Sequence, residues 1–124
     1  MSAGKDAEMV ARCDAIRGHS LFPTADELGD IPKLYATERT PLADKTVVLH
    51  YFVASADWWV VEFEPADRLA FGFACLGDPA SAEWGYVSLD ELAVTKVRPG
   101  NWPVDMVVER DLYWTPIRFG ELDR

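Results

Sequence analysis

Apolar and polar positions alternate most clearly between Thr46 and Leu92, TVVLHYFVASADWWVVEFEPADRLAFGFACLGDPASAEWGYVSLDEL. Thr46 to Val53 is dense in β-branched and aromatic residues and reads as a strand. Val47, Leu49, Tyr51 and Val53 share one face, and Val48, His50 and Phe52 share the other. Both faces are largely apolar, so the strand is expected to be central and covered on both sides. Ala54 to Asp57 is a connector of hairpin length. Trp58 to Glu64 follows as a second strand, with Trp59, Val61 and Phe63 alternating with Trp58, Val60, Glu62 and Glu64. Arg68 to Leu76 is the third, with a bulky face of Leu69, Phe71, Phe73 and Cys75. Its other face, Ala70, Gly72 and Ala74, is small, so a helix or a neighbouring tryptophan would come close to the backbone there. Glu83 to Val87 is the fourth strand. Ser88, with Glu91 three residues on, then starts a short helix.

The flanks are less regular. Lys5 to Arg17 predicts a helix whose narrow apolar face is Met9, Cys13 and Ile16, stopped by Gly18. Thr24 and Glu27 have capping-box spacing around a short helix at 25–28. Lys33 to Thr40, between prolines, is expected to be extended or turn-like and to pack Leu34 and Tyr35 on the sheet. Val94 to Val97 reads as extended. At 101–115, Met106, Val108, Leu112 and Trp114 favour a last strand, and the tail lies on the surface with Phe119 tucked in. The pattern predicts an α+β fold: an antiparallel β-meander of four to five strands with an N-terminal helix and short capped helices. Residues 1–30 form a helical extension and 31–124 a single domain.

Composition adds one thing to this picture. The net charge of the 124 residues is −9, and Asp57 to Glu91 holds eight acids against Arg68 alone. Such a field repels phosphate backbones and attracts basic partners, so direct nucleic-acid binding is not expected. The acids Asp57, Glu62, Glu64, Asp67, Asp78 and Glu83 are read as one acidic face, which either docks a basic protein or only keeps the chain soluble. Cys13 and Cys75 lack metal or redox spacing and read as reduced thiols. No secretory h-region or membrane-length apolar run occurs, so a cytoplasmic setting is expected.

Candidate chemistry is sparse. His50 and Glu62, if Glu62 faces the same side on the paired strand, would form a hydrogen-bonded couple able to act as a general base; otherwise His50 is a satisfied core histidine. Arg110, between Glu109 and Asp111, would bridge to Glu62 or Glu83. Trp58, Trp59, Trp84 and Tyr86 are either a recognition platform or core. No phosphate loop, nucleophile elbow or metal-ligand spacing is present, and no cofactor or metal is expected.

Several strings taken together carry a resemblance: LY-x-TE at Leu34 to Glu38, W-x-x-x-E at Trp58 to Glu62, FG at Phe71-Gly72, E-x-GY-x-SL-x-EL at Glu83 to Leu92, and ERD at Glu109 to Asp111. From Ile31 to Thr115 the chain resembles the domain of unknown function 2958 family. The resemblance implies a small α+β domain of the kind found on phages, plasmids and integrative elements, and it brings no catalytic residue. The motif positions Glu38, Glu62, Glu83, Arg110 and Asp111, with His50, are the candidate polar network. Two functions are open on these grounds. One is a non-enzymatic interaction protein whose acidic face docks a basic, nucleic-acid-handling partner, inhibiting a host defence complex in the anti-CRISPR or anti-restriction manner. The alternative is a small enzyme or ligand-binding domain using a cleft of Glu62, His50 and Arg110.

Overall fold

A computed structural model describes residues 3–123, with side chains from residue 7 onward. In chain order the elements are α1 (Ala3–Arg17), α2 (Ala25–Leu28), β1 (Thr46–Val47), β2 (Leu49–Val53), β3 (Ala56–Glu64), β4 (Leu69–Leu76), β5 (Glu83–Ser88), α3 (Leu89–Val94), β6 (Lys96–Val97), β7 (Met106–Val107), β8 (Glu109–Arg110) and β9 (Ile117–Arg118). The fold is α+β. Its main sheet has five antiparallel strands in the order β5-β4-β3-β2-β8. β2 to β5 are a meander, and β8 returns to pair with the outer side of β2.

Two cores lie on opposite faces of this sheet. One gathers Leu49, Tyr51, Val53, Val60, Phe63 and Ala70 with Leu89, Leu92 and Ala93 of the α3 region. Each large side chain buried in this way contributes roughly 1.5–3 kcal/mol. Leu21, from the helical extension, is fully buried in the same core, so the first thirty residues help to build the domain interior. The other core is Val47, Val61 and Phe119, with Trp59, Phe71, Phe73, Trp84 and Trp114 packed around it. Phe119 is tucked against Phe73 and Trp84, with ring centroids 4.9 and 4.6 Å away.

The expected alternation holds within each strand and fails at two joints. The first strand breaks at Val48, whose N–H donates to Val60 O at 2.8 Å. Val47 before the break pairs with Ile117 and joins the tail-side core, whereas Leu49, Tyr51 and Val53 face the helices. In β3 the register shifts between Val60 and Glu62, a bulge at Val61. Phe63 therefore joins Trp58 and Val60 on the helix side instead of following Trp59 and Val61. The small face of β4 is explained by this coiling. A Cβ on Gly72 would lie 2.1 Å from the Trp59 carbonyl oxygen, so strand backbone, not a helix or a ring, fills the space.

The flanks show further differences. α1 buries Cys13 and Arg17 and half-buries Val10 and Asp14, while Met9 and Ile16 are exposed. The helix is rotated because the Arg17 guanidinium is drawn in: it donates to Val108 O at 2.6 Å and Ala93 O at 3.1 Å, and pairs with Asp14. Gly18 ends the helix at φ +85. The Thr24–Glu27 capping box is complete, and Ser88 Oγ accepts the Glu91 N–H at 3.2 Å. Tyr35 is not packed on the sheet core; it is 61% exposed in a run of turns. The predicted last strand is split into β7, paired with β6, and β8, paired with β2, and Leu112 and Trp114 lie outside both. No helix among the described residues is long and apolar enough to cross a membrane.

Candidate functional site

Strand register builds a row of rings across the tail-side face of the sheet. His50 pairs with Trp59, Trp59 with Phe73, and Phe73 with Trp84. The His50 ring stacks on Trp59 at 5.6 Å and an 8° interplanar angle, and Trp114 covers it at 5.1 Å. Trp114 is fixed by its indole N–H, which donates to Val47 O at 3.0 Å.

His50 is also held at both ring nitrogens. Nε2 lies 2.8 Å from Asp57 Oδ1 and Nδ1 lies 3.2 Å from Asp111 Oδ2. The Asp111 N–H in turn donates to His50 O at 2.9 Å. A neutral imidazole carries one N–H and donates to one carboxylate only; the imidazolium donates to both. The ring thus clamps β2, the start of β3 and the segment after β8. Above it opens a cleft of about 730 Å³, within the size range of ligand pockets. Trp59, Phe73, Cys75, Asp57, Trp114 and Asp123 are among its walls.

Glu62 belongs to a different construction. It is 4% exposed and accepts the N–H groups of Tyr35 at 2.8 Å and Thr37 at 3.1 Å, together with the Thr37 hydroxyl. Lys45, equally buried, donates to Thr37 O and to Thr37 Oγ1, and its Nζ lies 3.9 Å from Glu62. This buried charge pair is neutralised and hydrogen-bonded, the condition under which burial of charge is tolerated. It pins the 33–40 turns to the sheet with Tyr35 at φ +71, where its hydroxyl reaches 3.5 Å from that of Tyr86. That contact, with smaller effects of burial and of the charges on Glu62 and Glu38, holds the Tyr86 phenol above its ordinary range.

Arg110 is registered against Tyr51, on the helix side of the sheet, opposite to His50. Its Nη1 donates to both carboxylate oxygens of Glu27, at 3.0 and 3.1 Å. Burial pushes the Glu27 carboxyl up, but hydrogen bonds from the Thr24 N–H and hydroxyl, followed by Arg110, outweigh it and hold the group below its usual range.

The expected polar network is therefore only partly assembled. His50 meets Asp111; Glu62, Arg110, Glu38 and Glu83 lie elsewhere. The cleft of Glu62, His50 and Arg110 does not form, because their strands send them to a buried latch, one face and the opposite face. The acidic positions likewise do not share one face. Glu62 is buried. Glu64 and Asp67 sit at the β3–β4 turn, while Asp57, Asp78 and Glu83 sit at the other end of the sheet. The strand between Asp57 and Glu64 spans roughly 23 Å. Glu83 pairs with Ala74 and points to the helix side, and Asp78 caps the turn at Pro79–Ser81. Sequence reasoning did not connect Asp57 to His50, nor Lys45 and Thr37 to Glu62. The first link was available from the hairpin: a two-residue turn at Ala54-Ser55 sets Phe52 against Asp57 and leaves His50 on the same face.

Among the described residues no group of three or more His, Cys, Asp or Glu side chains is placed so that it could hold a metal ion. No curated protein and no solved structure matches the chain. Residues 31–119, which contain β1 to β9, the Glu62 latch and His50 with both of its carboxylates, match the family described as "Protein of unknown function (DUF2958)", and the chain belongs to that family.

Proposed function

We propose that this chain is a non-enzymatic interaction module that docks a basic protein partner at the His50 cleft. One observation carries the reading: the cleft is walled by aromatic rings and by Asp57 and Asp123, with no lysine or arginine among its lining residues. Rings beside carboxylates are the surroundings that a guanidinium or ammonium group prefers. The clamp favours binding over proton transfer, since both nitrogens of His50 are already engaged by carboxylates. The net charge of −9 adds long-range attraction for a basic surface. Proteins that handle nucleic acid carry such surfaces, because they must neutralise phosphates. An acidic module seated on one would block its groove, which is the action expected of an anti-defence protein.

The test is tryptophan fluorescence on titration with an oligo-arginine peptide at low and high salt. Saturable quenching that weakens as salt rises is expected. Charge reversal by Asp123→Lys should weaken binding by about tenfold or more. Absence of binding at low salt, or unchanged affinity in the variant, refutes the reading.

A further inference from the structure

The two edges of the main sheet are built differently. One edge is β8, two residues long, and both residues, Glu109 and Arg110, are charged. The other edge is β5, EWGYVS, six residues in unbroken register with β4. It has no proline, no lysine and no bulge, and its one charge is at its first residue, Glu83. Free sheet edges invite another strand, and proteins normally blunt them by shortness, charge, proline or bulges. β8 is blunted in this way and β5 is not.

A second feature lies beside β5. Tyr86 is 55% exposed and its hydroxyl meets that of Tyr35, which is 61% exposed. Tyr35 sits at φ +71, a left-handed conformation that is strained for a residue with a Cβ. The buried Glu62 carboxylate holds it there by accepting the N–H of Tyr35. A strained backbone kept in place by a buried charge, with the result that an aromatic ring faces solvent, points to a use for that ring.

We propose that the open edge of β5 is a strand-addition site for an extended, basic segment of a partner protein. The segment pairs with β5 as a sixth strand, and its side chains pack on Tyr86 and Tyr35. Main-chain hydrogen bonds supply affinity in such additions and alternate side chains supply specificity. Basic character follows from the net charge of −9 and from Glu83, the one charge on the strand; Glu38 adds to it beside Tyr86, in turns that also carry Lys33 and Arg39. A second copy of this chain would bring another −9 to the same edge and is disfavoured by that charge. The β5 edge is separate from the His50 cleft, and neither site depends on the other.

The experiment is hydrogen exchange of the intact chain with three synthetic peptides of roughly eight residues. One alternates valine and arginine, one alternates valine and glutamate, and one is the arginine peptide interrupted by proline. The arginine peptide should slow exchange of amides in Glu83–Ser88 by about tenfold at saturation, and the other two should not. Tyr86→Lys should weaken binding by about tenfold. Tyr35→Gly should weaken binding while leaving the melting temperature equal or higher, because glycine relieves the left-handed strain. Unprotected β5 amides, equal protection by the glutamate or proline peptide, or unchanged binding in both variants overturns the proposal. Protection of β5 that grows with protein concentration alone, and is lost in Tyr86→Lys, identifies a second copy as the occupant and also overturns it.

Discussion

The Glu62 carboxylate accepts the Tyr35 N–H at 2.8 Å, across 27 positions of sequence. It joins the bulged end of β3 to turns that contain no strand or helix, and Lys45 closes the arrangement from the other side. Replacing Glu62 by Gln keeps the shape and removes the charge. Lys45, 5% exposed, then faces no neutralising partner in this latch. Loss of one member of a buried pair leaves the other uncompensated, and a destabilisation of about 3 kcal/mol is expected. Urea unfolding measures it. Hydrogen exchange of the Tyr35 and Thr37 amides should accelerate beyond what the global loss of stability explains.

Arg17 performs a comparable role for the N-terminal helix. Its guanidinium satisfies the carbonyls of Val108 and Ala93, both in buried surroundings. Arg17→Met retains packing volume but strands those acceptors and Asp14. The expected loss is about 3 kcal/mol, from unpaired buried polar groups. Thermal melting reads the loss, and limited proteolysis should show cleavage in α1 well before the sheet is attacked. A variant melting like the parent and equally resistant would mean that α1 is held by its apolar contacts alone.

Tyr51 makes stability depend on alkaline pH. Its hydroxyl donates to Leu21 O at 3.0 Å inside the helix-side core. Burial raises its phenol above the ordinary value of about 10. The folded chain thus binds this proton more tightly than the unfolded chain. The contribution is fully present below about pH 10 and is lost as pH rises from there through the folded value. Tyr51→Phe should cost about 1 kcal/mol at neutral pH through the lost hydrogen bond. Above pH about 10 its melting temperature should fall less steeply than that of the parent. Parallel curves for the two proteins would contradict this assignment.

Two glycines on adjacent strands should respond oppositely to alanine. Gly72→Ala puts a Cβ 2.1 Å from the Trp59 carbonyl oxygen, backbone that cannot rotate away. A loss of about 3 kcal/mol or more is expected. Gly85→Ala, directly across the pair, meets nothing within 4 Å and should be neutral or slightly stabilising. Denaturant midpoints of the two variants decide the matter, and similar values would argue against the bulge at Val61.

Local sequence determined the kinds of element and most of their extents. β-branched and aromatic alternation marked β2 to β5, Thr24 and Ser88 marked helix starts, and Gly18 marked a helix end. These signals act over a few residues, through side-chain period, capping and allowed φ, so they are legible without the fold. Tertiary structure alone decided which side chain meets which. The break at Val48 and the bulge at Val61 each exchange the faces of the strand residues beyond them, since a one-residue slip inverts a period of two. The bulge puts Glu62 on the same face as His50, but three positions beyond Trp59, the partner of His50, where β2 no longer lies opposite; Glu62 meets Lys45 there, and His50 meets Asp57 and Asp111. Arg17 overrode the apolar stripe of α1 because a buried cation goes where carbonyls await it. A stretch with eight acids and one base became two acidic ends of a sheet, one buried carboxylate and the first turn of α3, because charge counts carry no register and the sheet does.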